Sequence, residues 1–168
     1  MLCAIDRKLT IQQMEKNEME LDRIIEGLNK NKTIPSIVLN NLADSGLTEI
    51  EKNFIKTYRP EKSLIIYETL APNRPNHSVI EHGKRKWQKA IVRGKLEKKG
   101  WGAELGYYGF KHTSIKEQDK IEAFVLFSDD LVANWQYLDD FEGHEYRRIL
   151  AKYELDNGEA GVGYICHE

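Results

Sequence analysis

The sequence has 168 residues, enough for one domain with its own hydrophobic core and an additional segment. Its 25 Lys and Arg residues nearly balance its 27 Asp and Glu residues, so the formal net charge is -2 and a strongly basic nucleic-acid-binding surface is not indicated. Short basic clusters at residues 84–86 and 98–99 leave nucleic-acid binding as a minor alternative to an ordinary solvated surface.

Residues 1–60 have the pattern of helices. We predict a first helix from a capping box at residues 10–13, a second from Thr33 with Pro35 in its first turn, and a third from a capping box at residues 48–51. The apolar positions at helical spacing in the first helix are Met14, Leu21, Ile24, Ile25 and Leu28. This segment suggests no chemistry, so we interpret it as a helical N-terminal extension that packs on the main domain, or as an arm for a protein partner or for self-association.

From residue 63 the pattern changes to strands. The predicted strands cover residues 63–67, 90–96, 120–127, 146–155 and 160–166. The Asp-Asn-Gly sequence at residues 156–158 is a strong hairpin signal between the last two strands. Several strands with one late helix indicate an α+β domain or a small barrel over residues 61–168.

One carboxylate, Glu142, lies at the junction between the late helix, predicted at residues 128–141, and the strand that follows it. The apolar face of this helix consists of Leu131, Trp135, Leu138 and Phe141. Gly143 can adopt the left-handed conformation that ends a helix, which places Glu142 beside the negative end of the helix dipole. That position disfavours the ionised carboxylate, so we predict a raised pKa for Glu142 and a better general base.

The cysteine content and the hydropathy point to a compartment. Cys3 and Cys166 lie near opposite ends of the chain without metal-ligand spacing, which indicates neither a disulfide framework nor a metal site. Asp6 places a charge too early for a secretory signal, and no apolar run is long enough to span a bilayer. We therefore expect a cytoplasmic protein that does not contact a membrane and uses no metal ion or organic cofactor.

The first predicted strand runs into a polar loop at residues 67–77, Tyr-Glu-Thr-Leu-Ala-Pro-Asn-Arg-Pro-Asn-His. Such loops commonly position a ligand, and their backbone N–H groups can bind a carboxylate. The loop resembles the Tyr-Gly-Thr/Ser-Leu loop of the γ-glutamylcyclotransferase-like, or AIG2-like, family, in which a Pro-Asn-His segment often follows. That family also has a later Glu-Gly…Tyr-x-Arg segment, and the matching residues here are Glu142, Gly143, Tyr146 and Arg148.

The resemblance covers residues 63 to about 166. It implies a small mixed β-barrel with flanking helices, with the helical N-terminal extension lying outside it. It also implies an enzyme that cyclises a γ-glutamyl amine or amino acid to 5-oxoproline and releases the amine, with Glu142 as general acid/base. The substrate-binding residues that it implies are Tyr67, Glu68, Thr69, Leu70 and Tyr146, with the loop amides holding the α-carboxylate of the substrate. Glu142 and the loop should then line one cavity.

The chain departs from the family pattern at two places. Glu68 replaces the loop glycine, adding bulk and a negative charge where the backbone should approach the ligand closely. Tyr108 stands where the family often has proline. If Glu68 faces inward, it would repel the α-carboxylate and favour a cationic ligand. The alternative function is therefore a non-catalytic ligand-binding or protein-interaction module on the same fold.

Other polar residues near these motifs have structural interpretations. We expect His77 to anchor the loop, His144 to be exposed, and Arg148 to pair with a carboxylate of the fold. Tyr146 could equally be an ordinary strand aromatic.

Overall fold

A computed structural model describes residues 2–67, 71–74, 77–80, 86–98, 104, 108–113 and 118–167. In chain order, the helices and strands of these ranges are α1 (Leu2–Lys30), α2 (Glu49–Tyr58), β1 (Ser63–Ile66), β2 (Lys86–Glu97), β3 (Gly109–Lys111), β4 (Asp119–Phe127), α3 (Leu131–Glu142), β5 (Arg147–Leu155) and β6 (Ala160–His167). Short 3-10 turns occupy Ile34–Ser36, Leu39–Asp44, Pro60–Lys62 and His77–Ile80. No helix within these ranges has both the length and the apolar character needed to cross a membrane.

Five of the strands close into a barrel. The antiparallel pairs are β1 with β4, β4 with β2, β2 with β5, and β5 with β6, and the parallel pairing of β6 with β1 completes the ring. The short strand β3 bridges β2 and β6 and lies parallel to β6. Because parallel and antiparallel pairs occur together, the barrel is mixed. The predicted small mixed β-barrel with flanking helices is confirmed.

The two faces of the barrel wall are buried in different surroundings, because successive side chains of a strand point to opposite sides. One set forms a cluster drawn from the strands alone and includes Ile65, Val92, Phe110, Val125, Ile149 and Ile165. The intervening set packs together with helical residues and includes Leu64, Leu126, Leu150 and Tyr164, with Leu28, Phe54 and Trp135 from the helices. The helices therefore cover the outside of the wall.

Helix α1 supplies hydrogen bonds where a strand is missing. β5 pairs with β2 only at residues 153–155, so Leu150 has a strand neighbour on its β6 side but none from β2. The side-chain amide of Asn29 donates to the Leu150 carbonyl at 2.9 Å and accepts from the Leu150 N–H at 2.8 Å. These two bonds satisfy backbone groups that would otherwise lie unpaired under the helix. The N-terminal segment thus packs directly on the barrel, while its use as an arm for a partner stays a prediction.

In this segment the first predicted helix is present as α1, but its predicted start was wrong, and so was the helix predicted from Thr33. α1 begins at Leu2, so Thr10 lies inside the helix and does not cap it. The helix predicted from Thr33 is replaced by two 3-10 turns, because Ile37 and Val38 adopt extended backbone angles between them. By contrast, the capping box predicted at residues 48–51 is present at the start of α2.

That box is reciprocal: the Glu51 N–H donates to Thr48 Oγ1 at 3.2 Å, and the Thr48 N–H donates to Glu51 Oε1 at 3.0 Å. The predicted hairpin is also confirmed, with Gly158 at a φ of 88° in the turn between β5 and β6.

Candidate active site at the end of helix α3

Helix α3 is fixed on the barrel by its apolar face and ends at Glu142. Leu131, Trp135 and Leu138 are buried, and the Trp135 indole N–H donates to the carbonyl of Glu61 at 3.0 Å. Gly143 has a φ of 89°, which favours glycine, and its N–H donates to the Asp139 carbonyl at 3.0 Å. The predicted helix end at Gly143 is confirmed and Glu142 is the last helical residue, but Gly143 has a ψ of -177° and so does not adopt the expected left-handed helical conformation.

Two carboxylates of α3 contact two neighbouring residues of the β5–β6 hairpin. Asp139 and Glu142 lie one turn apart, while Arg148 and Cys166 are directly opposite each other in the antiparallel register. Arg148 donates to Asp139 through Nε at 2.7 Å and through Nη2 at 3.0 Å, a two-pronged ion pair. Glu142 is hydrogen-bonded to the thiol of Cys166. The end of the helix is therefore bound to the hairpin at two adjacent points.

The Arg148 side chain is buried, with 6% of its surface exposed. Its guanidinium lies 4.1 Å from the ring centre of Trp135 and 5.1 Å from that of Tyr164. The expectation that Arg148 pairs with a carboxylate of the fold is confirmed. Arg148 contributes to the site by holding Asp139.

The pKa of Glu142 is raised from 4.5 to about 7. Burial is the largest cause, since it disfavours the charged carboxylate, and the neighbouring negative charge of Asp139 acts in the same direction. The hydrogen bond from Cys166 acts in the opposite direction. The pKa of the Cys166 thiol is raised well above its usual range, first by burial and then by the charge of Glu142, so the thiol keeps its proton and donates.

Tyr67 lies at the same end of the barrel as Cys166. β1 and β6 run parallel with Leu64 opposite Tyr164, and continuing this register places Ile66 level with Cys166. The next residue is Tyr67, whose hydroxyl accepts a hydrogen bond from the Phe110 N–H. Phe110 is in turn opposite His167 on β6. The carboxyl ends of β1 and β6 thus converge with the end of α3.

The other candidate residues are placed as follows. Glu68, Thr69 and Leu70 lie outside the described residues, so the direction of Glu68 and the predicted carboxylate-binding amides stay predictions. Tyr146 is half-buried between α3 and β5, and its N–H donates to the Gly143 carbonyl at 3.3 Å. His77 contacts the ring of Trp87, with 5.1 Å between ring centres, and His144 is exposed as expected.

Two residues of the site, Asp139 and Cys166, were not singled out from the sequence. A hairpin turn centred on Asn157 pairs residues equally distant from it, so the predicted turn could have placed Arg148 opposite Cys166. Nothing in the sequence pattern places Arg148 or Cys166 beside α3. Within the described ranges, no group of three or more His, Cys, Asp or Glu side chains is arranged to hold a metal ion.

Comparison with known proteins gives matches among solved structures only: no family model and no curated protein matches the sequence. The chain is similar to an AIG2-like protein from Mus musculus, with 18% identity, a TM-score of 0.51, and coverage of 64% of this chain and 76% of that one. It is also similar to YkqA from Bacillus subtilis, with 21% identity, a TM-score of 0.45, and coverage of 61% of this chain and 35% of that one. The first of these likenesses establishes that this chain has the AIG2-like, or γ-glutamylcyclotransferase-like, fold.

Proposed function

We propose that the protein is a γ-glutamylcyclotransferase-type enzyme, which converts a γ-glutamyl amine or amino acid to 5-oxoproline and releases the amine. The observation that carries this proposal is Glu142. Its carboxyl group is half-buried, has a pKa of about 7, and lies at the barrel end to which β1 and Tyr67 lead. A carboxyl group with that pKa exists in both protonation forms near neutral pH, as a proton shuttle requires.

Ring closure of a γ-glutamyl compound makes few demands on a protein. The α-amino group and the γ-carbonyl carbon belong to the same molecule, so a folded substrate already has its nucleophile beside its electrophile. What remains is proton transfer, because the α-amino group is an ammonium ion near neutral pH and the departing amine is a poor leaving group without a proton. One positioned carboxyl group can meet both needs.

In the proposed reaction, the Glu142 carboxylate first takes a proton from the α-ammonium. The amine lone pair then forms a C–N bond to the γ-carbonyl carbon, and the carbonyl electrons move to oxygen. When they return, the bond to the departing nitrogen breaks and protonated Glu142 donates to that nitrogen. Overall, the ring nitrogen loses two protons and the released amine gains two, so a single carboxyl group that alternates between its two forms carries them one at a time.

The loop after β1 would bind the substrate. We assign the α-carboxylate to the backbone amides of Thr69 and Leu70, and one wall of the substrate pocket to Tyr67 and Tyr146. Glu68 would select among substrates through its charge. Cys166 carries a free thiol at this end of the barrel, as suits a reducing compartment, so we also propose that the protein acts in the cytoplasm.

The test is release of 5-oxoproline from a panel of γ-glutamyl amines and γ-glutamyl amino acids, compared with an enzyme-free blank. Wild type should release it, and Glu142→Gln should abolish release. The matched control is Asp140→Asn, which removes the same charge from an exposed position on the same helix and should keep full activity. Release that persists in Glu142→Gln would remove Glu142 from the mechanism, and no release from any substrate would favour the non-catalytic binding module.

A further inference from the structure

The N-terminal segment contacts the same arginine that holds the end of α3. Arg148 Nη2 donates to the Pro35 carbonyl at 3.3 Å as well as to Asp139 Oδ2 at 3.0 Å. Next to it, the Tyr164 hydroxyl donates to the carbonyl of Ile34 at 3.1 Å. Ile34 is itself buried, with 1% of its surface exposed. One guanidinium thus joins a 3-10 turn of the N-terminal segment to the last turn of α3.

Arg148 has little freedom to leave this position. Its guanidinium is stacked on Trp135 and Tyr164, and burial makes separation from Asp139 costly because a buried charge would lose its partner. Its Nη1 has no hydrogen-bond partner among the described residues, so the bonds to Asp139 and Pro35 are the ones that orient it. A planar guanidinium that is hydrogen-bonded to two fixed partners holds those partners at a defined separation.

Asp139 transmits this constraint to Glu142. The Asp139 side chain is held by Arg148, and its carbonyl accepts the Gly143 N–H that ends the helix. Glu142 lies between these two points, with its carboxyl group on Cys166, the cross-strand neighbour of Arg148. A shift of the last turn would therefore separate Glu142 from the thiol.

We propose that Arg148 is a positioning residue that couples the N-terminal segment to Glu142. The proposal rests on the proposed function of Glu142 as the proton shuttle. It assigns a role to residues that lie outside the resemblance to the cyclotransferase family: the carbonyl of Pro35 helps to orient the guanidinium, and the guanidinium fixes the helix end on which the carboxyl group stands. The N-terminal segment is then part of the support of the active site as well as a cover for the barrel.

The experiment compares Arg148→Met with Lys152→Met in the chain of 168 residues. Lys152 is also on β5 and also contacts the N-terminal segment, through an ion pair with Asp22 at 2.6 Å, but within the described residues no hydrogen bond or ion pair joins it to α3. Arg148→Lys serves as the conservative variant, since an ammonium keeps the charge and can reach only one partner well. All variants carry Cys3→Ser, so that Cys166 is the single thiol.

Three readouts follow the coupling. In Arg148→Met, kcat should fall about a hundredfold with little change in KM, as for a catalytic group misplaced by about 1 Å. Alkylation of Cys166 should become about tenfold faster as the helix end opens, and hydrogen exchange should accelerate at residues 34–37 and 139–143 together. Arg148→Lys should fall in between, and Lys152→Met should leave kcat and alkylation unchanged.

Alkylation and exchange need no substrate, so they decide the coupling independently of the reaction. If neither changes in the two Arg148 variants, the proposal is wrong. The proposal is equally wrong if the changes in alkylation and exchange only reflect a lower melting temperature. In that case Lys152→Met would change alkylation and exchange as much as an Arg148 variant of the same stability. Failure of the wild type to release 5-oxoproline, with the alkylation and exchange changes present, would count against the proposed function alone. If Arg148→Met does not fold, Arg148→Lys carries the comparison.

Discussion

Glu142 accepts a hydrogen bond from Cys166, and the two groups shift each other's pKa in opposite directions. The carboxylate raises the pKa of the thiol, whereas the thiol lowers the pKa of the carboxyl group. Burial acts on both groups and raises both values. The proton affinity of Glu142 is therefore a balance among burial, the charge of Asp139 and the hydrogen bond from one thiol.

The activity should depend on pH through Glu142. Because the base form starts the reaction, kcat/KM should fall on the acid side with an apparent pKa of about 7. Asp139→Asn removes a negative charge that raises this pKa, so its acid limb should move to lower pH. The measurement is kcat/KM from about pH 5 to about pH 9. An acid limb that does not move would mean that another group controls it.

Replacing Cys166 should shift the acid limb of the kcat/KM profile in the direction opposite to that of Asp139→Asn. Cys166→Ala removes the donor that lowers the pKa of Glu142, so the acid limb should move to higher pH. Cys166→Ser retains a donor and should stay close to wild type, which makes it the matched control. A Cys166→Ser profile that moves as far as that of Cys166→Ala would show that volume, and not the hydrogen bond, controls the carboxyl group.

Glu142 should lower stability as the pH rises. Its pKa is about 7 in the folded protein against a reference value of 4.5, so the folded state binds more protons than the unfolded state between these values. The stabilising contribution of protonated Glu142 is complete below about pH 4.5 and is lost as the pH rises through 7, by up to about 3 kcal/mol.

Glu142→Gln should remove this dependence. Its free energy of unfolding should exceed that of wild type by more at about pH 8 than at about pH 5, in urea titrations at both values. Asp140→Asn is again the control, because an exposed carboxylate on the same helix should change the two values alike. An equal gain at both pH values would contradict a raised pKa for Glu142.

The bond between α1 and Leu150 should contribute to stability. Asn29→Ala leaves one N–H and one carbonyl of β5 without their partners, at a cost of about 2 kcal/mol. Asn17→Ala is the matched substitution on an exposed turn of α1, where alanine is the better helix former, and should be neutral or slightly stabilising. Equal free energies of unfolding for the two variants would show that the hydrogen bonds between Asn29 and Leu150 do not stabilise the protein.

The features that could be predicted from the sequence are those fixed by near neighbours. Thr48 and Glu51 sit three residues apart and form the predicted box, and Gly143 ends α3 where its missing side chain allows a positive φ. The strand pattern and the turn at Gly158 led to an α+β domain or a small barrel, and the resemblance to the AIG2-like family implied the mixed barrel. Such patterns depend on spacing along the chain, which the sequence contains directly.

The surroundings of Glu142 could not be predicted in this way. The raised pKa was expected from the helix dipole, but burial is the leading cause, and burial depends on how α3 packs. Cys166 reaches Glu142 only because the hairpin folds under the helix. The helix predicted at Thr33 failed for a related reason, since the chain there turns to place carbonyls on Arg148 and Tyr164. Contacts between distant parts of the chain outweighed local preference.

The hydrogen bonds between the N-terminal segment and the β5–β6 hairpin have a consequence for how the chain acquires its structure. Asn29 and Leu150 are 121 residues apart, and Ile34 and Tyr164 are 130 apart. A helix made early in translation therefore keeps its apolar face without its final partner until the hairpin of β5 and β6 has left the ribosome. Folding that depends on such distant contacts is slow, and the apolar surface of the helix that stays exposed until then is a natural target for chaperones.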